Sequence, residues 1–471
     1  MNTTIVLITL VIYKVLLVLI GFWAQRRVHS EQDFFLAGRQ LGPWVGAVSY
    51  AASAASAWTL LGMSGLAYTV GYSSLWVAVG AIVGCAVSWF VVAPRVMSMA
   101  GEKRLLSATE LVAMGSTGGQ RTRIITAASV IILFCFVVYI ASQFQGAGNT
   151  FSSTFGLNNA ESIALGGIVI LVYTLLGGFW AVSVTDTLQG LLMVATALLL
   201  PTAAIIELGG VSAFVSALAD VSDTAYTQFT GDNTGLALLG FLMGSLSIGI
   251  SSIGQPHLVA RFMALKDNRA LRQAQFIATG WYAIMFIGMW ILGLSGRLLV
   301  GDIGNSEQVF FAVNEALFPT VLGAILLAAV LSAIMSTADS MLLVTGTTVA
   351  HDLGVNRGRQ WSALTISRLV IAVISLAAIA VAIAVPATIF ERVLFAWVAI
   401  GSALGPNVLC RALGIDIPAS RILPAMLAGF AAALVLYSLP NAPGDVAERT
   451  LPFMLGVAIL TLRRPRAQAP N

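Results

Sequence analysis

The chain has 471 residues, of which 58% are hydrophobic and only 9% are charged, and its formal net charge is +4. Soluble proteins carry about 25% charged residues, so this composition excludes an ordinary soluble protein and indicates an all-α polytopic membrane protein. The basic residues lie mainly between apolar stretches, so the positive charge does not indicate nucleic-acid binding. The three cysteines and three histidines are scattered, which argues against a disulfide framework or a histidine-rich metal site.

Thirteen apolar stretches are long enough to cross a bilayer as helices. The first lacks a preceding basic segment, so we expect a retained span rather than a cleaved signal peptide. The loops are too short for a soluble domain. The sequence contains no Walker motif, which argues against a pump driven by ATP. The predicted spans, numbered 1 to 13, are 3–24, 42–68, 72–97, 122–149, 160–180, 184–208, 233–256, 272–300, 315–348, 362–384, 388–412, 421–438 and 448–462.

The basic residues predict the orientation of these spans in a cell (inner or plasma) membrane, because cytoplasmic loops are enriched in lysine and arginine. With the N-terminus outside and the C-terminus cytoplasmic, all but four of the 24 Lys and Arg residues fall on the cytoplasmic side. The exceptions are Lys14, Arg297, Arg392 and Arg449. Arg261 is assigned to the cytoplasmic loop after span 7.

Spans 2 and 7 are unusually rich in alanine, serine and glycine. Small-residue interruptions at corresponding places in two halves are typical of transporters built from inverted repeats with broken helices. The alternative is close helix packing through small residues. The sequence therefore predicts one transmembrane transporter domain, with repeats of five helices each. Its parts are an additional helix at 3–24, a first repeat at 42–208, a second at 233–412, and two C-terminal helices at 421–462.

Span 9 places four polar residues at membrane depth: Ser336, Thr337, Asp339 and Ser340. Ser336, Asp339 and Ser340 are spaced i, i+3 and i+4 and so share one helix face. A carboxylate at the bilayer centre costs at least about 2.5–3.5 kcal/mol, so it usually faces a partner, a cavity or an ion. Hydroxyl and carboxylate oxygens are ligands that hard cations prefer. The alternative is that the hydroxyls bond to their own helix and Asp339 pairs with a neighbouring helix.

Five motifs occur in order along the chain. They are Phe34–Gly42, Gly177–Asp186, Gly254–Met263, Ala333–Thr337, and Phe395–Trp397 with Gly401–Pro406. Together they resemble the sodium:solute symporter family, most closely its sodium/proline symporters, over roughly residues 5–410. The resemblance implies a leucine-transporter-type fold and Na⁺-coupled import of a small organic solute by alternating access. The solute would be an amino acid such as proline, or a small carboxylate.

The resemblance also implies a sodium site where broken span 2 meets span 9. Its ligands would be the backbone carbonyls of Ala52, Ala55 and Ala333 and the hydroxyls of Ser336 and Thr337. Residues at an unwound helix have free carbonyls, and irregular backbone at membrane depth is tolerated where it lines a cavity.

Some relatives bind a second cation nearby, which here would involve Asp186, Ser336, Asp339 and Ser340. Relatives commonly have a neutral residue at 339, whereas the proline symporters have an aspartate where this chain has Ala54. A carboxylate lost at 54 and gained at 339 is one hypothesis. Two close carboxylates repel unless a cation or proton lies between them, so we expect a second Na⁺ or a shared proton. The alternative is that Asp186 is a helix-end residue in contact with water.

The resemblance implies a solute site beside the breaks in spans 2 and 7, formed by Tyr139, Gln143, Ser56, Ile248 and Ser252. The alternative for Gln143 is an interhelical hydrogen bond. The proline symporters have a tryptophan and a tyrosine at the positions of Ile248 and Ser252, so the solute pocket should differ in shape.

Two further polar residues are expected to be structural. His257 follows Pro256 at the end of span 7, and Lys14 should snorkel or pack against the scaffold. A membrane-embedded enzyme would need a nucleophile–base pair or a metal cluster, which the scattered histidines do not supply. A proton-coupled symporter of the same fold and a solute-sensing membrane protein are the remaining alternatives. The sequence leaves the oligomeric state open.

Overall fold

The computed structural model describes residues 3–25, 31–175, 178–355, 362–385, 387–439 and 445–462. Within these ranges the protein is helical, and the one extended pairing is an isolated bridge between Leu41 and Leu265. Helices satisfy every backbone hydrogen bond within one segment, which is what lipid requires of a spanning structure.

Each of the thirteen predicted spans is a helix or a broken helix. Short helices at Glu31–Leu36, Ala108–Val112, Val211–Ala219 and Val309–Leu317 lie between them. The spans, numbered as predicted, are Thr3–Gln25, Pro43–Ala54 with Trp58–Val70, Leu75–Glu102, Gly118–Phe155, Asn159–Thr174, Phe179–Glu207, Gly235–Ser247 with Ile250–Gly254 and Pro256–Ala264, Asn268–Leu299, Thr320–Asp352, Ala363–Ala384, Ile389–Ala412, Ala419–Tyr437 and Val446–Thr461.

Ten helical stretches of the described residues are individually long and apolar enough to cross a membrane. One of them, Trp58–Glu102, contains both the second half of span 2 and span 3. Spans 5 and 13 are shorter, with 16 residues each. These three cases account for the difference between ten stretches and the expected thirteen spans.

Span 2 is interrupted after Ala54. Ala55 leaves the helical conformation, with φ −88° and ψ 51°, and the helix resumes at Trp58. Span 7 is interrupted more gradually, by a tight turn at Ile250–Gly254 and an extended Gln255. Pro256 then begins the last piece, where its missing N–H is no loss and its fixed φ suits the first helical turn.

Glycines at the span 7 break allow close contact with neighbouring helices. A Cβ on Gly249 would lie 2.0 Å from the carbonyl oxygen of Gly80 in span 3, and one on Gly254 would lie 2.6 Å from the backbone nitrogen of Gly405 in span 11. Close packing, the alternative considered for the small residues, therefore applies at these two positions, which also lie within the interruption.

Spans 9 and 11 form the buried centre of the molecule, whereas span 1 exposes most of its surface. Span 1 packs against spans 6 and 9, and spans 12 and 13 pack against span 11. Arg261, which was predicted to lie in a cytoplasmic loop, is instead buried in the last piece of span 7.

Candidate cation and solute sites

The first half of span 2 ends against the polar face of span 9. The last carbonyls of a helix lack intrahelical partners, and here two of them accept hydrogen bonds from span 9 hydroxyls. Ser336 Oγ donates to Ala52 O at 3.0 Å, and Thr337 Oγ1 donates to Ser53 O at 2.8 Å. Ser336 also donates to its own Ala333 O at 3.1 Å. Two of the predicted carbonyl ligands, those of Ala52 and Ala333, thus lie within hydrogen-bonding distance of a third predicted ligand, the Ser336 hydroxyl.

The remaining predicted carbonyl, that of Ala55, belongs to the residue at which the helix ends. The backbone nitrogen of Ala55 still makes the helical hydrogen bond to Ala51 O, at 2.9 Å. The chain therefore leaves the helix only after this nitrogen, through the non-helical ψ angle of Ala55. Ala52, Ala55, Ser336 and Thr337 are all buried. The negative end of the half-helix dipole points to this place, which favours a cation. The arrangement is a buried cluster of neutral hard oxygens at a helix C-terminus.

Asp186 lies next to this cluster. Its Oδ2 accepts hydrogen bonds from Ser49 Oγ at 2.8 Å, Ser53 Oγ at 3.1 Å and Ser340 Oγ at 3.4 Å. Asp186 is fully buried within span 6, which rules out the alternative of a helix-end residue in contact with water. Asp186 and Ser340, both predicted in the second cation site, are therefore brought together.

A guanidinium completes the surroundings of Asp186. Arg261 Nη2 lies 3.0 Å from Asp186 Oδ2, and the two side chains are 1% and 0% exposed. The same nitrogen donates to Ser53 Oγ at 3.0 Å and to Ser340 Oγ at 2.5 Å. The other oxygen of Asp186, Oδ1, is buried and has no hydrogen-bond partner in the described part of the chain. The guanidinium of Arg261 thus lies at one oxygen of the Asp186 carboxylate, whereas the other oxygen has no partner among the described residues.

Sequence reasoning missed Arg261 because the positive-inside rule counts arginines by their place relative to apolar stretches. Span 7 breaks at Gln255, so its last piece extends beyond the predicted end at residue 256. Arg261 Nη1 donates to the carbonyl of His257 one turn earlier, at 2.6 Å. The available sequence signal for a helix that continues to Arg261 was its place one turn after the Gly-Gln-Pro-His sequence.

Asp339 does not join the Asp186 cluster. At about 100° per residue, Ser340 lies about 40° to one side of Ser336 and Asp339 about 60° to the other. Ser340 therefore faces spans 2 and 6, whereas Asp339 faces span 5, where it accepts a hydrogen bond from Thr174 Oγ1. The i, i+3, i+4 spacing gives a common face, but spans 2 and 6 contact this face at Ser340, whereas span 5 contacts it at Asp339.

A cavity lies beside the breaks in spans 2 and 7, and its lining residues come from spans 2, 3, 4, 7, 8 and 11. Of the predicted solute residues, Tyr139, Ile248 and Ser252 line it. The sequence did not single out the aromatic residues that complete it, Trp58, Tyr282 and Trp397, although Trp397 belongs to one of the five motifs. Tyr282, in span 8, has no local sequence signal that separates it from an ordinary packing residue.

Ser56 and Gln143 lie beside the cavity and organise the break in span 2. Ser56 Oγ lies 3.3 Å from Tyr139 Oη and accepts a hydrogen bond from Trp58 N at 3.2 Å. Gln143 Oε1 accepts from Ala57 N at 3.1 Å. Both residues therefore satisfy donors at the start of the second half-helix. For Gln143 this is the interhelical hydrogen bond considered as its alternative.

The cavity is lined mainly by apolar and aromatic side chains. Its accessible volume is about 20 Å³, room for about one water molecule, so the cavity is nearly closed in this conformation. No charged side chain of the described residues lines it. Trp397 Nε1 donates to Ile248 O at 3.0 Å, whereas Trp58 Nε1 is buried without a partner in the described residues. The Trp58 indole therefore has a donor free for a solute acceptor.

Comparison with known proteins defines the class. The profile of the sodium:solute symporter family matches residues 34–414. Sodium/proline symporter 2 of Staphylococcus saprophyticus subsp. saprophyticus is 31% identical over 417 residues, which cover 85% of this chain and 80% of that relative. The osmoregulated proline transporter OpuE of Bacillus subtilis is 32% identical over 440 residues, which cover 91% and 88%. The chain belongs to the sodium:solute symporter family.

Solved structures agree on the fold. A Na⁺-coupled sialic acid symporter in a substrate-bound outward-open state matches with a TM-score of 0.80 and 18% identity, over 97% of this chain and 96% of that one. MhsT in complex with L-phenylalanine matches with a TM-score of 0.54 and 15% identity, over 89% and 98%. The fold is that of leucine-transporter-type transporters. The protein is a multi-pass Na⁺-coupled solute symporter, and its relatives are transporters rather than enzymes.

Proposed function

We propose that this symporter imports a small zwitterion or carboxylate, with proline as the leading candidate because the proline symporters are its relatives. The observation that most directly supports Na⁺-coupled import is the contact between the interrupted end of span 2 and the hydroxyls of span 9. Sodium bound there joins the two helices and stabilises the state that accepts solute, since an ion shifts a conformational equilibrium only by binding one state better. Loss of sodium to the cytoplasm then releases the solute.

The proposed sodium ligands are the carbonyls of Ala52, Ala55 and Ala333 and the hydroxyls of Ser336 and Thr337. In the described structure the hydroxyls donate to Ala52 O, Ser53 O and Ala333 O. On sodium binding they turn their lone pairs to the ion, and the carbonyls exchange a hydroxyl donor for the cation.

Ser336→Ala and Thr337→Ala should each raise the Na⁺ concentration for half-maximal uptake by about tenfold or more, since one oxygen ligand contributing about 1.4 kcal/mol corresponds to tenfold. The measurement is uptake of labelled proline into proteoliposomes against external Na⁺. Thr345→Ala is the matched control, because Thr345 is buried on the same helix but donates only to its own Leu342 O. Unaltered Na⁺ dependence in both ligand variants would refute the site.

We propose a second cation position at Asp186 and Ser340, adjacent to Ser336. Two atoms that lack a hydrogen-bond partner among the described residues support it: Oδ1 of Asp186 and the hydroxyl of Ser183, one turn earlier on span 6. Arg261 then competes with the second cation for the carboxylate. Asp339, which the sequence placed in this position, is not part of the proposed position, because its carboxylate accepts a hydrogen bond from Thr174 of span 5. A proton at Asp186 remains the alternative to sodium, as in a proton-coupled symporter.

Arg261→Gln should make folded stability depend more steeply on Na⁺ than in the wild type, because Asp186 loses its counter-ion. A site occupied at 100 times its Kd stabilises by about 2.7 kcal/mol. The measurement is thermal unfolding of purified protein in NaCl against choline chloride. The double variant Asp186→Asn/Arg261→Gln should lose this added dependence. Equal Na⁺ stabilisation in the single variant and the wild type would count against the site, and a response to pH instead of Na⁺ would identify a proton.

The solute site is proposed at the cavity lined by Tyr139, Ile248 and Ser252, with Ser56 and Gln143 holding its edge. Ile248→Trp with Ser252→Tyr introduces the aromatic residues of the proline symporters. The double variant should favour proline over bulkier competitors, because the added rings reduce the space. The measurement is competition of unlabelled amino acids and carboxylates against labelled proline. If the wild type already takes proline as its best solute, the reasoning from these two positions is wrong.

We propose that the two repeats, 42–208 and 233–412, form a single transporter domain in the cell membrane, surrounded by lipid, with the N-terminus outside and the C-terminus cytoplasmic. The distribution of lysine and arginine supports this orientation. A phosphatase or fluorescent reporter fused after Asn471 should therefore be cytoplasmic, and one fused before Asn2 external. Reporters on the same side would require an even number of spans.

A further inference from the structure

Lys14 lies at the exact middle of span 1, eleven residues from each end of Thr3–Gln25. At 1.5 Å per residue each end is about 16 Å away, which is beyond the reach of a lysine side chain that would snorkel to the interface. A charged group left at this depth is costly. Lys14 therefore needs a partner inside the protein.

The surroundings of Lys14 combine an apolar outer side with a polar inner side. Outward, it borders a groove lined by apolar side chains, including Leu10 and Phe151. Inward, its Nζ donates to Met335 Sδ of span 9, and the adjacent Tyr13 Oη is hydrogen-bonded to Ser332 Oγ. A thioether is a weak acceptor, so this contact places the ammonium against span 9 without balancing its charge.

Asp339 lies one helical turn beyond Met335, on the same side of span 9. Its Oδ1 accepts from Thr174, but Oδ2 is fully buried and has no hydrogen-bond partner among the described residues. Among the described residues, a carboxylate oxygen without a partner and an ammonium whose acceptor is a thioether thus lie at adjacent turns on the same side of span 9.

We propose that Lys14 is the counter-ion of Asp339, so that this carboxylate carries neither sodium nor a proton during transport. The extra helix of the fold then supplies a fixed cation to span 9, and the side of span 9 facing spans 1 and 5 is closed to mobile cations. Lys14 is a positioning residue, because it acts on the sodium-binding helix through Asp339. This inference does not depend on the identity of the solute.

Other ionisable groups near Asp339 do not take this role. Asp186 of span 6 is a like charge within electrostatic reach, and it is already paired with Arg261. Tyr13 of span 1 is a neutral phenol bound to Ser332, and span 5 contributes the hydroxyl of Thr174. Among the described residues, Lys14 is the remaining cation in reach of Asp339.

The test is thermal unfolding of the purified full-length protein between pH 5.5 and 8.5 in choline chloride. Without Lys14, the buried Asp339 must take up a proton to fold and releases it on unfolding. Stability of Lys14→Met should therefore fall as pH rises, by up to tenfold in the folding equilibrium per pH unit relative to the wild type. Lys14→Met/Asp339→Asn should lose this added slope, and Lys14→Arg should behave as the wild type.

The reciprocal variant keeps the test decisive if Lys14→Met does not fold. Asp339→Asn leaves the ammonium unpaired, so the amine must lose a proton to fold, and stability should fall as pH decreases. Recovery of a folded Lys14→Met chain by the added Asp339→Asn supports the pair in the same way. A wild-type pH profile in both single variants, or an Asp339-dependent slope already present in the wild type, would overturn the proposal.

Discussion

The interruption of span 2 is the constraint on which the rest of the structure depends. In a continuous helix, the carbonyls of Ala52 and Ser53 would accept hydrogen bonds from backbone N–H groups of the same helix. In an interrupted helix they need other donors, because lipid offers none. The hydroxyls of Ser336 and Thr337 replace the missing backbone donors. Span 9 must therefore be buried at the centre of the bundle, with its polar face against the break. The surrounding helices cover this polar contact.

Two buried charges lie next to that contact, and they impose a second constraint. Removing one partner of a buried pair typically costs about 3–5 kcal/mol, because the other charge is left without compensation. Asp186 and Arg261 satisfy each other together with three serine hydroxyls. A pair of this kind adds little net stability compared with apolar packing. The proposed second cation position would account for its presence there, because Arg261 would balance the charge of Asp186 whenever a mobile cation is absent.

The sequence was sufficient for the helices and for the breaks, which follow from apolar length and small-residue composition. The contact between Ser336 and the end of span 2 was implied by the resemblance to the symporter family and not by spacing. The direction of Asp339 could not be predicted, because periodicity gives an angle on one helix and not the neighbour that meets it. Arg261 was misplaced because the break moved the end of span 7. Tyr282 was missed because a cavity formed by six spans leaves no pattern in any one of them.

Coupling between ion and solute requires no long pathway in this architecture. The break contributes Ala52 and Ala55 to the proposed sodium site, while Ala54 and Trp58, from the same short segment, line the cavity. A change in the conformation of three or four residues therefore alters both sites at once. Because no charged side chain of the described residues lines the cavity, the charges of a zwitterion must be met by helix ends, hydroxyls and the nearby ion. Sodium would then order the break and improve the electrostatics of the solute site in the same step, which makes ion binding before solute binding the favoured order.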